Sequence, residues 1–413
     1  MHAAREAGLG EVQKLRRDSV VEGTKMWWQD LGATWRLAAI AVVTGCLLGG
    51  CTASVPNQMP DTSEQYGVSP AAGSPTSTRG ATPPADYLAM QRQLKQQLTG
   101  GADFSAVRSV LVSVDGRAVI KYYRNSTPDD YAHVYSVTKS VMSILVGIAV
   151  DEGRLRPDQT LRELLPQQAS NMTEEEASIT LRQLLTMTSG IPGGSGALHL
   201  SSTDTVSQIL EYGITSDPGA AFQYSDAGAH LVAAVLGEAV GRPILDYARE
   251  KLFDPLGIDT RPAWEGWDQD PRSGFAEPGF GWVTDRSGLN VGGFGLKLKA
   301  PDLVKIGELY VNGGRWHGRQ IVSAAWVEES TSPKLTPEQA KIDGQYGYLW
   351  WVGEYTGHPA FQASGSYYQK IFCFPGPRLV VVVTAAAGSG PDTLHKTLDP
   401  VIERVIFDPL LAG

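Results

Sequence analysis

The sequence predicts an α+β fold, an α/β sandwich in which an antiparallel sheet is flanked by helices and carries an inserted, mainly helical lobe. Three observations support this prediction: strand-like segments stand near both ends of the folded region, an apolar helix follows the first of them, and the middle of the chain has helical periodicity. Strands from distant parts of the chain must therefore join one sheet. A functional site is expected in the cleft between the sheet and the lobe.

The predicted elements follow in order along the chain. A helix is predicted over 86–98, and the alternation of apolar residues over 107–123, broken at Asp115-Gly116, predicts a β-hairpin. A buried helix starts near Ser136, and the helical lobe is predicted over about 151–285. The last third of the chain returns to predicted strands at 346–352, 367–374 and 379–384, followed by a closing helix at 391–406.

Composition and charge exclude some classes of protein. The chain of 413 residues has a formal net charge of -9 and no basic cluster with interleaved aromatic residues. Nucleic acid is not expected as a partner, because an acidic excess repels phosphate. No Cys/His cluster has metal-ligand spacing, and Cys373 is a single thiol in a strand-like segment, so no metal and no other cofactor is expected. The oligomeric state is left open.

The first 51 residues are predicted to be an N-terminal extension and a lipoprotein-type signal peptide. An apolar stretch over 37–48 follows Arg36 and is shorter than the about 20 residues that cross a bilayer. It ends in Leu48-Gly49-Gly50-Cys51, which resembles the lipobox of bacterial lipoproteins, so Cys51 is the expected lipidation site and Cys46 a weaker candidate. The protein is then expected to be an exported cell-envelope lipoprotein held at the membrane. The alternative is an uncleaved anchor or a chance cysteine.

The segment 52–85 is rich in Pro, Ser, Thr, Gly and Ala and has almost no large apolar side chains. It is predicted to be a disordered linker, because such a composition cannot bury enough surface to fold. The folded domain is expected over 86–413.

Ser136 and Lys139 stand three residues apart where the apolar helix begins, and no other serine in the chain has a lysine at that spacing. One helical turn brings both side chains to the same face, with Ser136 near the positive end of the helix. A serine becomes a nucleophile when a neighbour accepts its proton, and a lysine can do so only when its pKa is depressed. The alternative is a polar helix start with a solvated lysine.

Two further elements complete a candidate site. Tyr224, in Tyr-Ser-Asp, stands where a loop gives way to a helix, and its phenolate beside an ammonium could act as the general base for Ser136. Gly365, in Ala-Ser-Gly-Ser, lets a substrate approach the strand, and the amide that follows it could stabilise an oxyanion together with the amide of Ser136. Taken alone, each element also fits a structural role: a packed tyrosine beside a helix cap at Asp226, and a turn into a strand.

The order of these elements, Ser-x-x-Lys, then Tyr-Ser-Asp, then small-Ser-Gly on a late strand, resembles the serine β-lactamase and penicillin-binding-protein superfamily. The class C-like branch is the most similar, that is, the β-lactamase-related serine hydrolases, which include esterases, D-amino-acid peptidases and 6-aminohexanoate-dimer hydrolases. Segments 179–191, 244–258 and 310–321 resemble that branch as well. The resemblance covers about residues 86–410 and implies a β-lactamase/transpeptidase-like fold.

The resemblance also implies roles at matching positions. Ser136 would be the acylated nucleophile, with Lys139 and Tyr224 sharing the proton transfers. The implied activity is that of a serine hydrolase, an esterase or amidase, acting on small-molecule esters, amides or peptides through an acyl-enzyme. The remaining implied positions are the oxyanion-hole amides of Ser136 and Ser366 and the substrate-binding residues Asp226, Ser364 and Gly365.

Two positions depart from the family pattern. Asp226 stands where Asn is common, and a carboxylate beside Lys139 stabilises the ammonium, which shifts the role of base toward Tyr224. Ala363 stands where the family has Lys or His, and β-lactam enzymes use that cation to attract a carboxylate. The sequence therefore favours neutral esters or amides over β-lactams as substrates.

Two other functions stay open from the sequence. One is a penicillin-binding D,D-peptidase or β-lactamase acting on cell-wall peptides or β-lactams, and the other is a catalytically inactive envelope binding lipoprotein. No Gly-x-Ser-x-Gly elbow is present, which argues against an α/β-hydrolase. Several aromatic residues are equally consistent with substrate contact and with the core: Tyr212, Trp264, Trp267, Trp350 and Trp351.

Overall fold

The computed structural model describes residues 84–100, 104–194, 196–264, 279–340, 344–387 and 391–412. The expected lipidation site Cys51, the linker up to residue 83 and Trp267 lie outside the described residues, so the interpretations made there stay predictions. The described part begins with a helix at Pro84, two residues before the predicted start of the folded domain.

The strands define the architecture. In chain order they are β1 (Val107–Val114), β2 (Arg117–Tyr123), β3 (Tyr131–His133), β4 (Ala263–Trp264), β5 (Phe280–Trp282), β6 (Leu296–Lys299), β7 (Arg315–Trp316), β8 (Arg319–Gln320), β9 (Gln345–Tyr346), β10 (Trp351–Tyr355), β11 (His358–Gly365), β12 (Gln369–Phe374) and β13 (Leu379–Ala385).

Seven strands form an antiparallel sheet in the order β2-β1-β13-β12-β11-β10-β9. The first strand of the chain pairs with the last, with Val110 opposite Val383. Strands from both ends of the folded region therefore share one sheet, and the α+β prediction is confirmed. A second sheet has the order β3-β6-β5-β4, and β7 pairs with β8 in a separate ribbon.

The helices occupy both faces of the large sheet and the lobe between the sheets. In chain order they are α1 (Pro84–Thr99), α2 (Val137–Asp151), α3 (Leu161–Leu164), α4 (Glu174–Ser178), α5 (Leu181–Leu185), α6 (Thr205–Tyr212), α7 (Asp226–Val240), α8 (Ile244–Ala248), α9 (Asp254–Leu256), α10 (Ala300–Val311), α11 (Ala324–Ser330), α12 (Pro391–Ile402) and α13 (Asp408–Leu411).

Alternation along the strands sorts apolar side chains between two cores. On one face, Val110 and Val381 pack with Leu94 of α1 and Leu398 of α12. On the other face, their sequence neighbours pack with α2, α10 and the helical lobe, which form the larger core. The sheet therefore separates a layer of terminal helices from the layer that carries Ser136.

The predicted lobe over 151–285 holds α3 to α9, but its last part differs from the prediction. After Leu256 the chain enters the second sheet through β4 and β5, so the helical part is shorter than expected. Short strands of two and three residues give little periodicity, which explains why the sequence did not reveal them.

The predicted strand 346–352 is interrupted. Between β9 and β10 the backbone leaves the extended conformation at Leu349, which has φ of 60° and donates its amide hydrogen bond to Leu185 O at 2.9 Å. Helix α5 thus takes a hydrogen bond that a continuous strand would have used. The predicted strand 367–374 likewise starts two residues later, at Gln369, because Tyr367 and Tyr368 have φ of 57° and 65° and are not extended.

Helix α2 is buried along nearly its whole length, as its apolar residues predicted. A side chain at Gly147 would collide with the indole of Trp326, which packs directly on the helix backbone. No single helix among the described residues has the length and apolarity needed to cross a bilayer. Helix α7 and the run from Ile244 to Leu256 have that length and apolarity only when they are taken together, and they are bent by 74° relative to each other.

Candidate active site

Ser136 stands immediately before the first residue of α2. It is partly exposed, whereas the next thirteen residues, from Val137 to Ala149, are buried. Tyr135, just before it, has φ of 48°, in the left-handed region that a non-glycine residue seldom adopts. The side chain of Ser136 is therefore presented from a rigid helix by a sharp backbone turn.

Lys139 lies one turn further along α2, and its side chain is 1% exposed. Its Nζ donates to Ser136 Oγ at 3.1 Å, to Asp226 Oδ1 at 2.5 Å and to the backbone oxygen of Gly293 at 2.9 Å. An ammonium has three protons and no acceptor, so these three contacts use all of its hydrogen-bonding capacity. The geometry is that of a charged lysine.

The charge balance around Lys139 agrees with this geometry. Burial by itself lowers the pKa of Lys139, but the Asp226 carboxylate and the Tyr224 hydroxyl outweigh burial and raise its pKa above the ordinary value of a lysine. Lys139 is therefore held in its charged form, with a hydrogen bond donated to Ser136 Oγ.

Asp226 reaches this site from the first turn of α7. The cap of that helix is Ser225, whose Oγ accepts from the amide of Gly228 at 2.9 Å, so the capping role considered for Asp226 belongs to its neighbour. The carboxylate is free to pair with Lys139. Gly293 packs closely beside it, since an added Cβ there would lie 3.0 Å from Asp226 Oδ1.

The ring of Tyr224 is held between two partners. Lys139 Nζ lies 4.6 Å from its ring centroid, and the indole of Trp351 stacks on it with centroids 5.8 Å apart and an interplanar angle of 21°. Trp351 is itself packed edge-on against Tyr346. Such contacts fix the plane of the phenol, so its oxygen has a defined position beside the ammonium.

The end of β11 lies directly against the nucleophile. An added Cβ at Gly365 would come within 2.3 Å of Val134 O and 3.2 Å of Ser136 N, so only glycine fits there. This close approach brings the residue after Gly365, Ser366, close to the start of α2. Within the described part of the chain, the amide of Ser136 donates no hydrogen bond.

Backbone strain flanks both expected oxyanion donors. Tyr135 precedes Ser136 with φ of 48°, and Tyr367 follows Ser366 with φ of 57°. The ring centroids of the two tyrosines are 5.2 Å apart. Each non-glycine left-handed residue costs of the order of 1 kcal/mol or more and persists where the surroundings enforce it. The strained pair is typical of a functional site.

The structure brings together the candidate residues that lie far apart in the sequence. Ser136, Lys139, Tyr224 and Asp226 form one contact network, with Ser364, Gly365 and Ser366 on the adjoining strand end. Their chemical roles stay predictions. Of the aromatic candidates, Trp350 belongs to the core, whereas Trp351 is partly exposed beside Tyr224.

Sequence reasoning missed two members of this region. The Gly293 carbonyl has no side-chain signature, and the Gly292-Gly293 doublet was the only signal of a close backbone approach. Lys370 was also missed; its Nζ donates to Ser364 Oγ at 2.8 Å. A lysine inside the apolar run of β12 was the available signal.

No group of three or more His, Cys, Asp or Glu side chains suited to a metal ion is present in the parts of the chain that the structure describes. His230 of α7 and Asp285 are both buried, and His230 Nε2 lies 3.2 Å from Asp285 Oδ2. Asp285 Oδ1 accepts hydrogen bonds from the backbone amides of Ser287 and Leu289, which order the loop that precedes Gly292. We assign the pair of His230 and Asp285 a structural role.

Comparisons with known proteins extend over most of the described chain. The family model described as Beta-lactamase matches residues 89–403. The 6-aminohexanoate-dimer hydrolase of Paenarthrobacter ureafaciens is 26% identical over 314 residues, which cover 69% of this chain and 74% of that protein. The lovastatin esterase of Penicillium rubens is 25% identical over 252 residues, 51% of this chain and 62% of that protein.

A solved structure shares the fold. The octameric penicillin-binding protein homologue from Pyrococcus abyssi superposes with a TM-score of 0.59 at 19% identity, covering 79% of this chain and 78% of that one. The family match spans the large sheet, the helical lobe and every candidate residue from Ser136 to Ser366. The chain belongs to the beta-lactamase family.

Proposed function

We propose that Ser136 is the nucleophile of this serine hydrolase and cleaves ester or amide bonds through an acyl-enzyme. The observation that supports this most directly is the contact of Ser136 Oγ with a lysine ammonium whose other two protons are held by Asp226 and Gly293. The ammonium stabilises negative charge on the serine oxygen as its proton leaves.

The proton of Ser136 passes to Tyr224. Lys139 has no free lone pair, because its raised pKa keeps it protonated. Tyr224, whose ring centroid lies 4.6 Å from Lys139 Nζ, accepts the serine proton as Oγ attacks the carbonyl carbon. It then returns that proton to the leaving oxygen or nitrogen. In the second half-reaction, water gives its proton to Tyr224 and attacks the acyl carbon. Ser136 Oγ leaves and recovers a proton.

The oxyanion that forms in each step is stabilised by the amides of Ser136 and Ser366. Gly365 supports this assignment, since it allows the end of β11 to approach the start of α2 without a side chain between them. Removal of one donor of this type costs about 3 kcal/mol of transition-state stabilisation.

The substrate class follows from the family and from named relatives. One relative hydrolyses a 6-aminohexanoate dimer and another is an esterase. We therefore assign ester or amide bonds of small molecules as the substrates of this chain.

Replacing Ser136 with Ala tests the assignment. The variant should lose labelling by a fluorophosphonate probe and hydrolysis of p-nitrophenyl butyrate by at least about 10³-fold, because the covalent intermediate cannot form. Circular dichroism confirms that it is folded. Unchanged turnover would refute Ser136 as the nucleophile, and release of D-alanine from a peptidoglycan peptide by the wild type would favour the peptidase alternative.

The cellular location is a separate proposal. Cys51 would carry a lipid that tethers the enzyme to the outer face of the cytoplasmic membrane through the segment 52–85, which supports an exported, cell-envelope location. Metabolic labelling with an alkyne fatty acid should mark the wild type and not a Cys51→Ala variant. Equal labelling of the two proteins would contradict the tether.

A further inference from the structure

The turn Ser366–Tyr368 carries the second proposed oxyanion donor in a conformation that its own residues do not favour. Tyr367 and Tyr368 are adjacent non-glycine residues with φ of 57° and 65°, in the left-handed region. Residues in this conformation are strained, and they persist only where their surroundings enforce it. The direction of the Ser366 amide therefore depends on the contacts that hold the rest of the turn.

The two tyrosine rings of the turn contact different layers of the molecule. The ring of Tyr367 lies against that of Tyr135, the residue before the nucleophile, with centroids 5.2 Å apart. The ring of Tyr368 belongs to the core shared with the terminal helices and is 1% exposed. There it packs on His395 of α12, with ring centroids 4.8 Å apart. The turn is therefore in contact with both the segment before α2 and helix α12.

A hydrogen bond to a carboxylate ties Tyr368 to α12. The hydroxyl of Tyr368 donates to Asp399 Oδ1, and Asp399 Oδ2 lies 3.6 Å from His395 Nδ1. Burial and the Asp399 carboxylate raise the pKa of Tyr368 well above its ordinary value, so the phenol keeps its proton and donates it. Hydrogen bonds to an ionised acceptor are stronger than neutral ones. This bond can therefore hold Tyr368 in its strained conformation.

The residue after the turn is fixed to the last strand of the sheet. Gln369 is fully buried and stands opposite Gly365 in the ladder between β11 and β12. Its side-chain amide donates to Ala385 O at 2.7 Å and accepts from Ala385 N at 3.3 Å. It also donates to Tyr367 O at 3.3 Å. The end of the turn is thus anchored to β13, and Tyr368 adds an anchor to α12.

We propose that Asp399 is a positioning residue for hydrolysis, which through Tyr368 holds the Ser366 amide in line with the amide of Ser136. This inference rests on the function proposed above, because it concerns the oxyanion hole of that reaction. Asp399 and Tyr368 lie in the layer of terminal helices, so they act on the reaction through the backbone of the turn. Since hydrogen bonds weaken steeply with distance and angle, a displaced amide stabilises the oxyanion less.

Tyr368→Phe tests the proposal, because it removes the hydroxyl and keeps the ring in the core. The variant should lower kcat for p-nitrophenyl butyrate by about 10- to 100-fold, as expected when an oxyanion donor is misplaced and not lost. KM should change by less than about threefold, since the oxyanion forms in both half-reactions. Each rate is divided by the concentration of sites that a fluorophosphonate titrates, so that kcat refers to folded enzyme.

A transition-state analogue separates positioning from stability. Propylboronic acid, in which boron replaces the carbonyl carbon of a butyryl group, forms a tetrahedral adduct with a serine nucleophile and presents a charged oxygen to the oxyanion hole. Its inhibition constant should rise in Tyr368→Phe by about the same factor as kcat falls. A residue that only stabilises the fold would lower the melting temperature and leave this inhibition constant unchanged.

Two variants of Asp399 test the acceptor itself. Asn and Ala both remove the negative charge that acts on Lys370, but only Asn keeps an oxygen that accepts from Tyr368. Asp399→Ala should match Tyr368→Phe in kcat and in the boronate inhibition constant, and Asp399→Asn should recover most of the loss. Combining Tyr368→Phe with Asp399→Ala should add little, because both break the same bond. If Tyr368→Phe does not fold, equal kcat in the two Asp399 variants would overturn the proposal.

Tyr122→Phe is the matched control, since it removes a hydroxyl from a tyrosine of the same core on β2, three strands away from β12. Its kcat and boronate inhibition constant should equal those of the wild type. A kcat for Tyr368→Phe within about twofold of the wild type, or a lower kcat with an unchanged boronate constant, would contradict the positioning role. Such a result leaves the acyl-enzyme intact, whereas turnover by Ser136→Ala would defeat the proposed function itself.

Discussion

Two buried lysines on either side of the active-site strand differ in one respect. Lys139 and Lys370 are 1% and 3% exposed, and each donates a hydrogen bond to a serine of the site. Lys139 also contacts the Asp226 carboxylate, and its pKa is raised even though burial opposes the charge. Lys370 contacts no carboxylate of the described residues, and burial lowers its pKa to about 8.

The comparison separates two uses of the same side chain. A carboxylate within hydrogen-bond distance keeps the charge of Lys139 fixed, which suits a group that orients the nucleophile through every step. A cation with no fixed partner is costly to bury. The charge of Lys139 is thus balanced by a carboxylate in contact with it, and the charge of Lys370 is not.

The largest effect is expected from Lys139→Met. The variant removes all three donated hydrogen bonds and leaves Asp226 without its cation, so kcat/KM for p-nitrophenyl butyrate should fall by about 10³-fold or more. The rate of fluorophosphonate labelling should fall in parallel. Lys121→Met, which removes a charge from an exposed position of β2, serves as the control. A fall of less than tenfold would mean that the ammonium is dispensable.

The next effect concerns the free energy of unfolding. The pKa of Lys370 is lowered, whereas that of Lys139 is raised, so the two lysines affect stability in opposite directions. The Lys370 pKa of about 8 lies below the ordinary 10.5, so the folded state binds fewer protons than the unfolded state between those values, and wild-type stability rises with pH across that window. Below pH 8 the penalty is complete, and the difference of about 2.5 pH units amounts to about 3 kcal/mol. Lys370→Met removes this penalty.

We therefore expect Lys370→Met to be up to about 3 kcal/mol more stable than the wild type at pH 7, with the gain vanishing near pH 10.5. Urea unfolding at a series of pH values measures it. Lower stability of the variant at pH 7 would show that the bond to Ser364 outweighs the burial of the charge.

The smallest effect is expected from Asp226→Asn. Loss of the carboxylate lets burial lower the pKa of Lys139, and the neutral amine can then share the role of base with Tyr224. Activity should therefore be preserved or rise by up to about tenfold, with the basic limb of the pH profile at lower pH. In the wild type the pKa of Lys139 is raised, so protonation of this lysine stabilises the folded state below pH 10.5. That contribution is lost as the pH rises through the pKa of Lys139 in the folded state.

Between pH 9 and 12 the free energy of unfolding should therefore fall more steeply with pH in the wild type than in Asp226→Asn. Asp226→Glu is a useful companion variant, because it keeps the charge and changes only the reach of the side chain. A collapse of activity in Asp226→Asn alone would show that the carboxylate has a catalytic role of its own.

The sequence anticipated the parts of this molecule that local patterns determine. The period of Val141, Ile144 and Ile148 predicted α2, and Asp115-Gly116 predicted the hairpin of β1 and β2. The spacing of Ser136 and Lys139 predicted their contact, because one helical turn fixes it. The convergence of Tyr224 and Gly365 on that pair came from resemblance to a family, since no local rule joins residues so distant in the chain.

Contacts that depend on strand register were beyond the sequence. Lys370 faces Ser364 only because β11 and β12 pair with Gly365 opposite Gln369, and a shift of one residue would turn the lysine to the other core. The absence of a cation at Ala363 led to an expectation of neutral substrates, which stays a prediction. The Gly293 carbonyl was out of reach because any residue can supply a backbone oxygen.

The close fit of Gly365 against the start of α2 has a consequence for how this enzyme matures. The two amides of the proposed oxyanion hole come from segments separated by the whole helical lobe, and β11 is held in place by strands that include the last in the chain. A nascent polypeptide that has ordered α2 and the lobe still lacks half of the hole. Ester turnover during refolding would therefore report closure of the large sheet, and the hydrolase stays inert until its own assembly is finished.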